Sequence, residues 1–123
     1  MNGNNLFVDT NILIYFLEGR EEVAETLAAK DLYTSVICEI EPLSHKKLTV
    51  DNYNTATKFL AFLNISGLTS AIKEFTIQLR RKYKIKLPDA IIAASAISLN
   101  IPFLTADKDF SPIKESNTVI IEL

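Results

Sequence analysis

The sequence predicts an α/β fold built on a mostly parallel sheet. Short apolar runs with the length of a buried strand alternate with longer stretches whose apolar positions recur at helical spacing. Strands that alternate with helices are typical of a parallel sheet covered by helices on both faces. The chain has 123 residues, of which 48% are hydrophobic. A chain of this size can bury about two-thirds of its unfolded surface, so we expect one domain over residues 1–123.

The first third of the chain predicts a strand, two helices and a second strand. Residues 6–8 are apolar and read as a buried strand, and residues 10–18 continue as a helix that Gly19 can end. Residues 21–29 have helical spacing. Residues 32–34 form the second short run with strand character.

The middle of the chain predicts three further helices and a third strand. Ser35 is a favourable N-cap for the helix that follows the second strand. Residues 54–63 predict a fourth helix, and residues 63–65 a third strand. From Ser70 onward apolar residues recur at helical spacing, namely Ile72, Phe75, Leu79 and Tyr83.

The last third completes the alternation. Pro88 is well placed to start a helix, because proline is tolerated in the first helical turn. Residues 102–105 and 118–121 predict strands four and five. A helix that follows a parallel strand starts at the carboxyl edge of the sheet, and ligands bind outside that edge. We therefore expect the functional residues at the carboxyl edge.

Acidic residues from four separate segments are expected at that edge. They are Asp9 after strand one, Glu39 and Glu41 after strand two, Asp89 in a first helical turn and Asp107 after strand four. A turn, a helix cap or a solvated helix face can explain most of them singly. Asp9 is harder to explain because apolar runs flank it on both sides. An ionised carboxylate there is costly unless it is paired or binds a metal.

Together these carboxylates predict a metal site. Two carboxylates about 4 Å apart repel by roughly 4 kcal/mol at an effective dielectric constant of about 20. A cluster of three or four must therefore hold protons, cations or a metal ion. Oxygen ligands favour Mg²⁺ or Mn²⁺. One cysteine and one histidine leave too few ligands for a typical zinc site.

Three stretches of the chain resemble the PIN-domain ribonucleases, and within them the VapC-type toxins of bacterial toxin–antitoxin pairs. "VDTNILIYFLEG" is similar to the first motif of the family, "SVICEIEPLS" to the second, and "LPDAIIAASAISLNIPFLTADKDF" to the third and fourth. The resemblance covers essentially the whole chain. It implies a single PIN domain, a three-layer α/β sandwich whose parallel five-stranded sheet has the order 3-2-1-4-5.

The resemblance also implies which residues act. It assigns both metal binding and catalysis to Asp9, Glu41, Asp89 and Asp107. It places three further polar residues beside these ligands, namely Asn11, Thr105 and Asp109. The implied reaction is Mg²⁺-dependent hydrolysis of RNA, in which Mn²⁺ can substitute. The implied partners are an antitoxin protein and a second copy of the chain.

The second motif departs from the family at Pro42, where an apolar residue is usual. Proline disfavours helical geometry at the residue before it and removes a helix hydrogen bond. Glu39 and Glu41 both flank the apolar stripe of their helix, so periodicity does not choose between them. The resemblance selects Glu41.

The basic stretch "RRKYKIK", residues 80–86, lies just before Asp89. Arg80, Arg81 and Lys84 are candidate RNA-binding residues that could contact phosphates, and Tyr83 could stack on a base. A solvated helix end explains the same charges, because cations favour the carboxyl end of a helix dipole. Both interpretations stay open at the level of the sequence.

Composition bounds the remaining possibilities. His45 is the only histidine, so a histidine acid–base pair is excluded, and the formal net charge of −2 argues against a general nucleic-acid coat protein. We expect a cytoplasmic protein with no membrane segment, since no secretory leader opens the sequence and there is one cysteine. The alternative function is a catalytically silent PIN-fold module that binds RNA or a protein.

Overall fold

Five parallel strands form one sheet in the computed structural model, which describes residues 4–123. The strands are β1 (Asn5–Val8), β2 (Asp31–Ser35), β3 (Asn64–Ser66), β4 (Phe103–Thr105) and β5 (Thr118–Ile120). Their order is β3-β2-β1-β4-β5, and every neighbouring pair is parallel. The predicted fold class and strand order are confirmed.

Six helices within residues 4–123 connect and cover the strands. They are α1 (Thr10–Leu17), α2 (Glu21–Leu27), α3 (Val36–Leu43), α4 (Val50–Leu60), α5 (Ser70–Lys82) and α6 (Leu87–Leu99). A single 3₁₀ turn, Lys108–Phe110, follows β4 and was not predicted from the sequence. In the described part of the chain, every helix is too short or too polar to cross a lipid bilayer.

The largest shift in a predicted boundary is at α4. The helix begins at Val50 rather than at residue 54, because the Thr49 hydroxyl accepts a hydrogen bond from the Asn52 amide and caps an earlier turn. It ends at Leu60, three residues before the predicted end, and β3 starts at Asn64. The other predicted elements agree with the structure to within two residues at each end, apart from α3, for which only the start was predicted.

Pro42 does not break α3. The helix runs from the Ser35 cap through Glu41 and Pro42 to Leu43, so the expected loss of helical geometry before the proline does not occur. The proline stands next to the last residue, and the helix therefore forfeits a hydrogen bond only at its final turn.

The core lies around β1, β4 and α6. The Phe7 and Phe103 rings on the adjacent strands meet edge to face, with centroids 5.7 Å apart. Phe110 of the 3₁₀ turn packs on Phe103 at 4.9 Å and anchors that turn to the core. Helix α6 is buried from Ala90 to Ala96. Because β1 and β4 are neighbours, the residues that follow them emerge side by side at the carboxyl edge of the sheet.

Candidate functional site

Asp9 is a buried carboxylate at the junction of β1 and α1. Its side chain is 5% exposed. Oδ1 accepts a hydrogen bond from the Ile12 amide at 3.1 Å and so caps α1. Oδ2 accepts from the Thr105 hydroxyl at 2.5 Å, which ties the carboxylate to the neighbouring strand β4. The carboxylate thus joins two strands and one helix.

Thr105 connects Asp9 to the loop that carries Asp107. Its hydroxyl oxygen accepts a hydrogen bond from the Asp107 amide at 3.0 Å. Asp107 in turn accepts from the Asp109 amide at 2.9 Å and caps the 3₁₀ turn. One fully buried threonine therefore orients Asp9 and fixes the backbone at Asp107, which is the position expected for a polar residue that supports the acidic site.

Three aspartates interact electrostatically at this edge. Burial raises the pKa of Asp9 above its ordinary value, the bonds from Thr105 and Ile12 partly offset this, and the charges of Asp107 and Asp89 raise it further. Burial also raises the pKa of Asp89, with contributions from Asp107 and from Asp109, whereas Lys86 lowers it. None of the ion pairs among residues 4–123 involves Asp9, Asp89 or Asp107.

The donor chemistry of this cluster suits a hard divalent cation. Carboxylate oxygens are the ligands that Mg²⁺ and Mn²⁺ prefer. Each oxygen of Asp9 accepts one hydrogen bond and keeps a further lone pair for a cation. Within residues 4–123, however, no three His, Cys, Asp or Glu side chains are close enough together to surround an ion. The three carboxylates therefore interact electrostatically, but they do not form a complete coordination shell in this structure.

The two glutamates of α3 stand apart from this cluster. Glu41 is exposed and Glu39 is half-buried. Neither forms a hydrogen bond or an ion pair with the aspartates, and neither contributes to the pKa shifts of Asp9 and Asp89. Asn11, the other expected polar neighbour, is also exposed.

A polar cleft of about 660 Å³ opens beside Asp89 and Asp107. Its charged lining consists of Arg80, Lys84, Lys86, Asp89, Asp107, Lys108 and Asp109. Two of the three candidate RNA-binding residues, Arg80 and Lys84, therefore line the cleft that contains the acids. Arg81 is exposed but does not line it.

Two further lysines line the same cleft. Lys86 ends the predicted basic stretch but is not among the three named candidates. Lys108, which sequence reasoning missed, directly follows the expected ligand Asp107. Tyr83 differs from the expectation of a free stacking platform. It is half-buried against the core, and its hydroxyl donates to Glu115 at 2.6 Å.

Comparison with known proteins identifies the family. A sequence model of the PIN domain family matches residues 6–115. The chain belongs to the PIN domain family. No curated protein sequence matches this PIN domain, whereas solved structures do. A toxin–antitoxin complex from Klebsiella pneumoniae contains a chain that is 32% identical, with coverage of 93% of this chain and 95% of that chain and a TM-score of 0.80.

Two further solved structures share the fold of this PIN domain at lower identity. VapBC2 from Rickettsia felis, bound to a DNA fragment from its promoter, is 20% identical, with coverage of 96% and 99% and a TM-score of 0.84. VapBC-1 from nontypeable Haemophilus influenzae is 24% identical, with coverage of 94% and 97% and a TM-score of 0.72. The expected resemblance to the PIN family is confirmed.

The hydrogen bond between Thr105 and Asp9 generates a stability prediction. Replacing Thr105 by Val keeps the shape of the side chain but removes the hydroxyl from a buried carboxylate. We expect the free energy of unfolding, measured by urea denaturation in EDTA, to fall by about 1.5–3 kcal/mol, the usual value of a hydrogen bond to a charged group. Thr105→Ser keeps the hydroxyl and is the matched control. A valine variant as stable as the serine variant would show that this bond contributes nothing.

The raised pKa of Asp9 predicts a pH-dependent gain in stability for Asp9→Asn. A group whose pKa is higher in the folded state destabilises that state once it ionises. The cost is absent below the ordinary pKa of 3.8, grows as the pH rises to the folded pKa, and is constant above it. Asparagine cannot ionise and remains a good helix cap.

In EDTA we therefore expect Asp9→Asn to be more stable than the wild type at pH 7, and the difference to shrink as the pH falls to about 4. Urea denaturation across this range measures it. Asp31→Asn, at an exposed position, controls for the loss of one negative charge. A difference that is independent of pH would contradict the electrostatic explanation.

Proposed function

We propose that this PIN domain is a metal-dependent ribonuclease and the VapC-type toxin of a toxin–antitoxin pair. The observation that carries the proposal is the convergence of Asp9, Asp89 and Asp107 from three separate segments, with no cation paired to any of them in the described chain. Membership of the PIN family supports nuclease activity. The relative from a toxin–antitoxin complex, 32% identical, supports the toxin role.

Asp9, Asp89 and Asp107 would hold the Mg²⁺ or Mn²⁺ ion, with Glu41 as the fourth carboxylate. When bound, such an ion supplies an activated water and stabilises negative charge on the scissile phosphate. Asp89 and Asp107 are half-buried and line the polar cleft, so their carboxylates are accessible to an ion from that cleft. Asp9 itself is held in place by Ile12 and Thr105.

In this proposal the side chains contribute by positioning the carboxylates and the attacking water and by their electrostatic effect. Thr105 holds one oxygen of Asp9 and leaves lone pairs free to bind a cation. Whichever carboxylate does not bind the ion can orient the attacking water. His45, the sole histidine, is exposed, and its Nδ1 accepts from the Lys47 amide at 3.3 Å. Cleavage through the RNA 2′-hydroxyl thus has no histidine pair to serve it.

Substrate binding is assigned to the cations of the polar cleft. Arg80, Lys84 and Lys86 form no ion pair among the described residues and lie in the same cleft as Asp89 and Asp107. Phosphates are the natural partners of such free cations. Arg81 stays a candidate at the edge of this surface.

The antitoxin is assigned to an apolar groove between α1, α3 and α4. Its lining includes Leu13 and Leu17 of α1, Pro42 of α3 and Phe59 of α4. Leu17 and Ile14 of α1 are 47% and 38% exposed and both line this groove, so the exposed apolar surface is contiguous, as it is at protein contact sites. An apolar segment of the antitoxin fits this groove. We further propose a homodimer that acts in the cytoplasm.

The second candidate function is a silent PIN-fold module that binds RNA or a protein. The observation in its favour is that the described carboxylates do not form a complete ion shell. The two functions differ in whether divalent ions produce cleavage.

Cleavage of a defined single-stranded RNA tests the proposed function. We expect Mg²⁺ or Mn²⁺ to support cleavage and EDTA to stop it, and we expect Asp9→Asn and Asp89→Asn to reduce the rate to the level of the metal-free protein. An ion held by these residues would supply water as the nucleophile, and in-line attack by water would leave the 3′-oxygen as the leaving group. End-group analysis should therefore find a 5′-phosphate and a 3′-hydroxyl.

Two results would contradict this assignment. A 2′,3′-cyclic phosphate formed in the presence of EDTA would place the chemistry outside the acidic edge. RNA binding by the wild type without cleavage at any divalent-ion concentration would favour the silent module.

The choice between the two glutamates of α3 is tested by a matched pair of variants. Because the resemblance aligns Glu41 with the acid of the second motif and α3 stays helical through Pro42, we expect Glu41→Gln to lose activity and Glu39→Gln to keep most of it. Rates for both on one RNA at saturating Mg²⁺ are the measurement. The reverse order would assign the fourth carboxylate to Glu39.

The basic lining of the cleft predicts a change in salt dependence. Each contact between a cation and a phosphate releases counterions, so the slope of log K against log salt changes by about 0.7 per contact on a single strand. We expect Arg80→Ala and Lys84→Ala to weaken RNA binding and to flatten this slope more than Arg81→Ala does. Fluorescence anisotropy in EDTA measures binding without cleavage. Equal slopes for all three variants would remove the cleft from RNA binding.

A further inference from the structure

Three side chains connect the two walls of the polar cleft. Lys82, Tyr83 and Glu115 form a hydrogen-bonded group that we call the Glu115 bridge. The Tyr83 hydroxyl donates to Glu115 Oε1 at 2.6 Å, and Lys82 Nζ donates to Oε2 at 3.0 Å. The Lys114 amide donates to the Tyr83 oxygen at 3.3 Å. The bonds from Tyr83 and Lys82 lower the pKa of Glu115, so the carboxylate is ionised at neutral pH.

The bridge joins segments that carry opposite sides of the cleft. Lys82 is the last residue of α5, and the chain continues from Tyr83 directly into Lys84 and Lys86 of one wall. Glu115 lies in the segment after the 3₁₀ turn, whose residue Lys108 belongs to the other wall. No other side-chain hydrogen bond or ion pair within residues 4–123 joins residues 82–86 to residues 107–115.

The two walls differ in how firmly the core holds them. The wall after β4 is anchored by Phe110 and Ile113, each 3% exposed. The linker between α5 and α6, residues 83–86, is not helical; Tyr83 and Ile85 are only partly buried against the core, and both of its lysines are exposed. The linker therefore depends on contacts with other segments, such as the Glu115 bridge, for its position.

We propose that the Glu115 bridge positions the α5–α6 linker against the opposite wall, so that the lysines of the linker hold the RNA while the carboxylates act on the scissile phosphate. Tyr83 and Glu115 are positioning residues, because they act through Lys84, Lys86 and Asp89. This inference rests on the proposed ribonuclease function and deepens it. It assigns the position of the linker lysines relative to the carboxylates to Tyr83 and Glu115, which lie outside the acidic site.

If Glu115 acted only through its charge, its neutralisation would favour RNA binding and would give no reason for a lower catalytic rate. Neutralising this acid releases Lys82 and removes a negative charge close to the cleft, which by itself tightens binding of a polyanion. If the bridge positions the linker, the same change lowers the catalytic rate. Tyr83→Phe separates the two effects, because it removes the hydrogen bond between Tyr83 and Glu115 without changing any charge and leaves the Lys82–Glu115 pair in place.

The kinetic test compares Tyr83→Phe and Glu115→Gln with Glu122→Gln. Glu122 is a matched control, since it is an exposed acid 3.7 Å from Lys108 but is not part of the bridge. On single-stranded RNA at saturating Mg²⁺, we expect both bridge variants to lower kcat about three- to tenfold, the usual effect of one lost hydrogen bond, without raising KM. Glu122→Gln keeps the wild-type kcat. The double bridge variant falls no further than the worse single variant, because both changes remove the same bond.

Hydrogen exchange measures the bridge independently of activity. In metal-free protein we expect Tyr83→Phe to speed exchange of the Lys114 amide and of the amides of residues 84–87 severalfold, while the amides of the β1 strand keep their protection. Wild-type kcat in both bridge variants, or a Glu115→Gln variant that behaves like Glu122→Gln, would overturn the positioning role. If the wild type cleaves no RNA, the proposed function fails, and unchanged exchange in Tyr83→Phe would then overturn the bridge as well.

Discussion

The buried carboxylate of Asp9 is the constraint on which the rest of the site depends. It caps α1 through the Ile12 amide and binds the Thr105 hydroxyl of β4, so the end of β1, the start of α1 and the end of β4 meet at one side chain. The Thr105 hydroxyl also accepts a hydrogen bond from the Asp107 amide, which fixes the backbone at Asp107 relative to Asp9. Two hydrogen bonds do not offset the cost of burying a charge, because the pKa of Asp9 remains raised. This unfavourable burial supports the proposal that the site binds a cation, which would offset part of the cost.

The sequence predicts the strands that carry this site, and the burial of Asp9, better than it predicts helix boundaries and long-range side-chain contacts. Apolar runs on both sides of Asp9 indicate a buried acid, and the alternation of strands and helices indicates a parallel sheet, but alternation alone leaves the strand order open. The order came from the family resemblance. The predicted start of α4 was four residues late, although Thr49 is a favourable N-cap and Val50 and Tyr53 already stand at helical spacing; the first turn is exposed and so lacks a buried stripe. The hydrogen bond between Tyr83 and Glu115 joins two irregular segments that are 32 residues apart in the sequence, so no local sequence pattern predicts it.

The distribution of charge explains how the proposed ribonuclease can bind RNA although its net charge is negative. The formal net charge is −2, yet the polar cleft gathers Arg80, Lys84, Lys86 and Lys108 around Asp89, Asp107 and Asp109. Within the basic stretch, Glu115 engages Lys82, which leaves its neighbours to face the cleft. In the proposed ribonuclease, the cations that line the cleft would attract phosphates, and the acids of the same lining would favour a divalent ion. A basic surface spread over the whole protein is not needed for this arrangement.

Helix α1 places the apolar groove and the acidic edge next to each other. Asp9 caps the helix, and the next residue, Thr10, already lines the groove. Cys38 of α3 lines the same groove. Burial raises the pKa of its thiol, with a smaller contribution from the charge of Asp9, so the thiol stays protonated and serves as neutral lining. A partner that fills the groove thus reaches the first turn of α1, where the amide of Ile12 holds Asp9. In the proposed toxin, docking and catalysis share one helix end, so an antitoxin can act on the site without competing for the basic walls of the cleft.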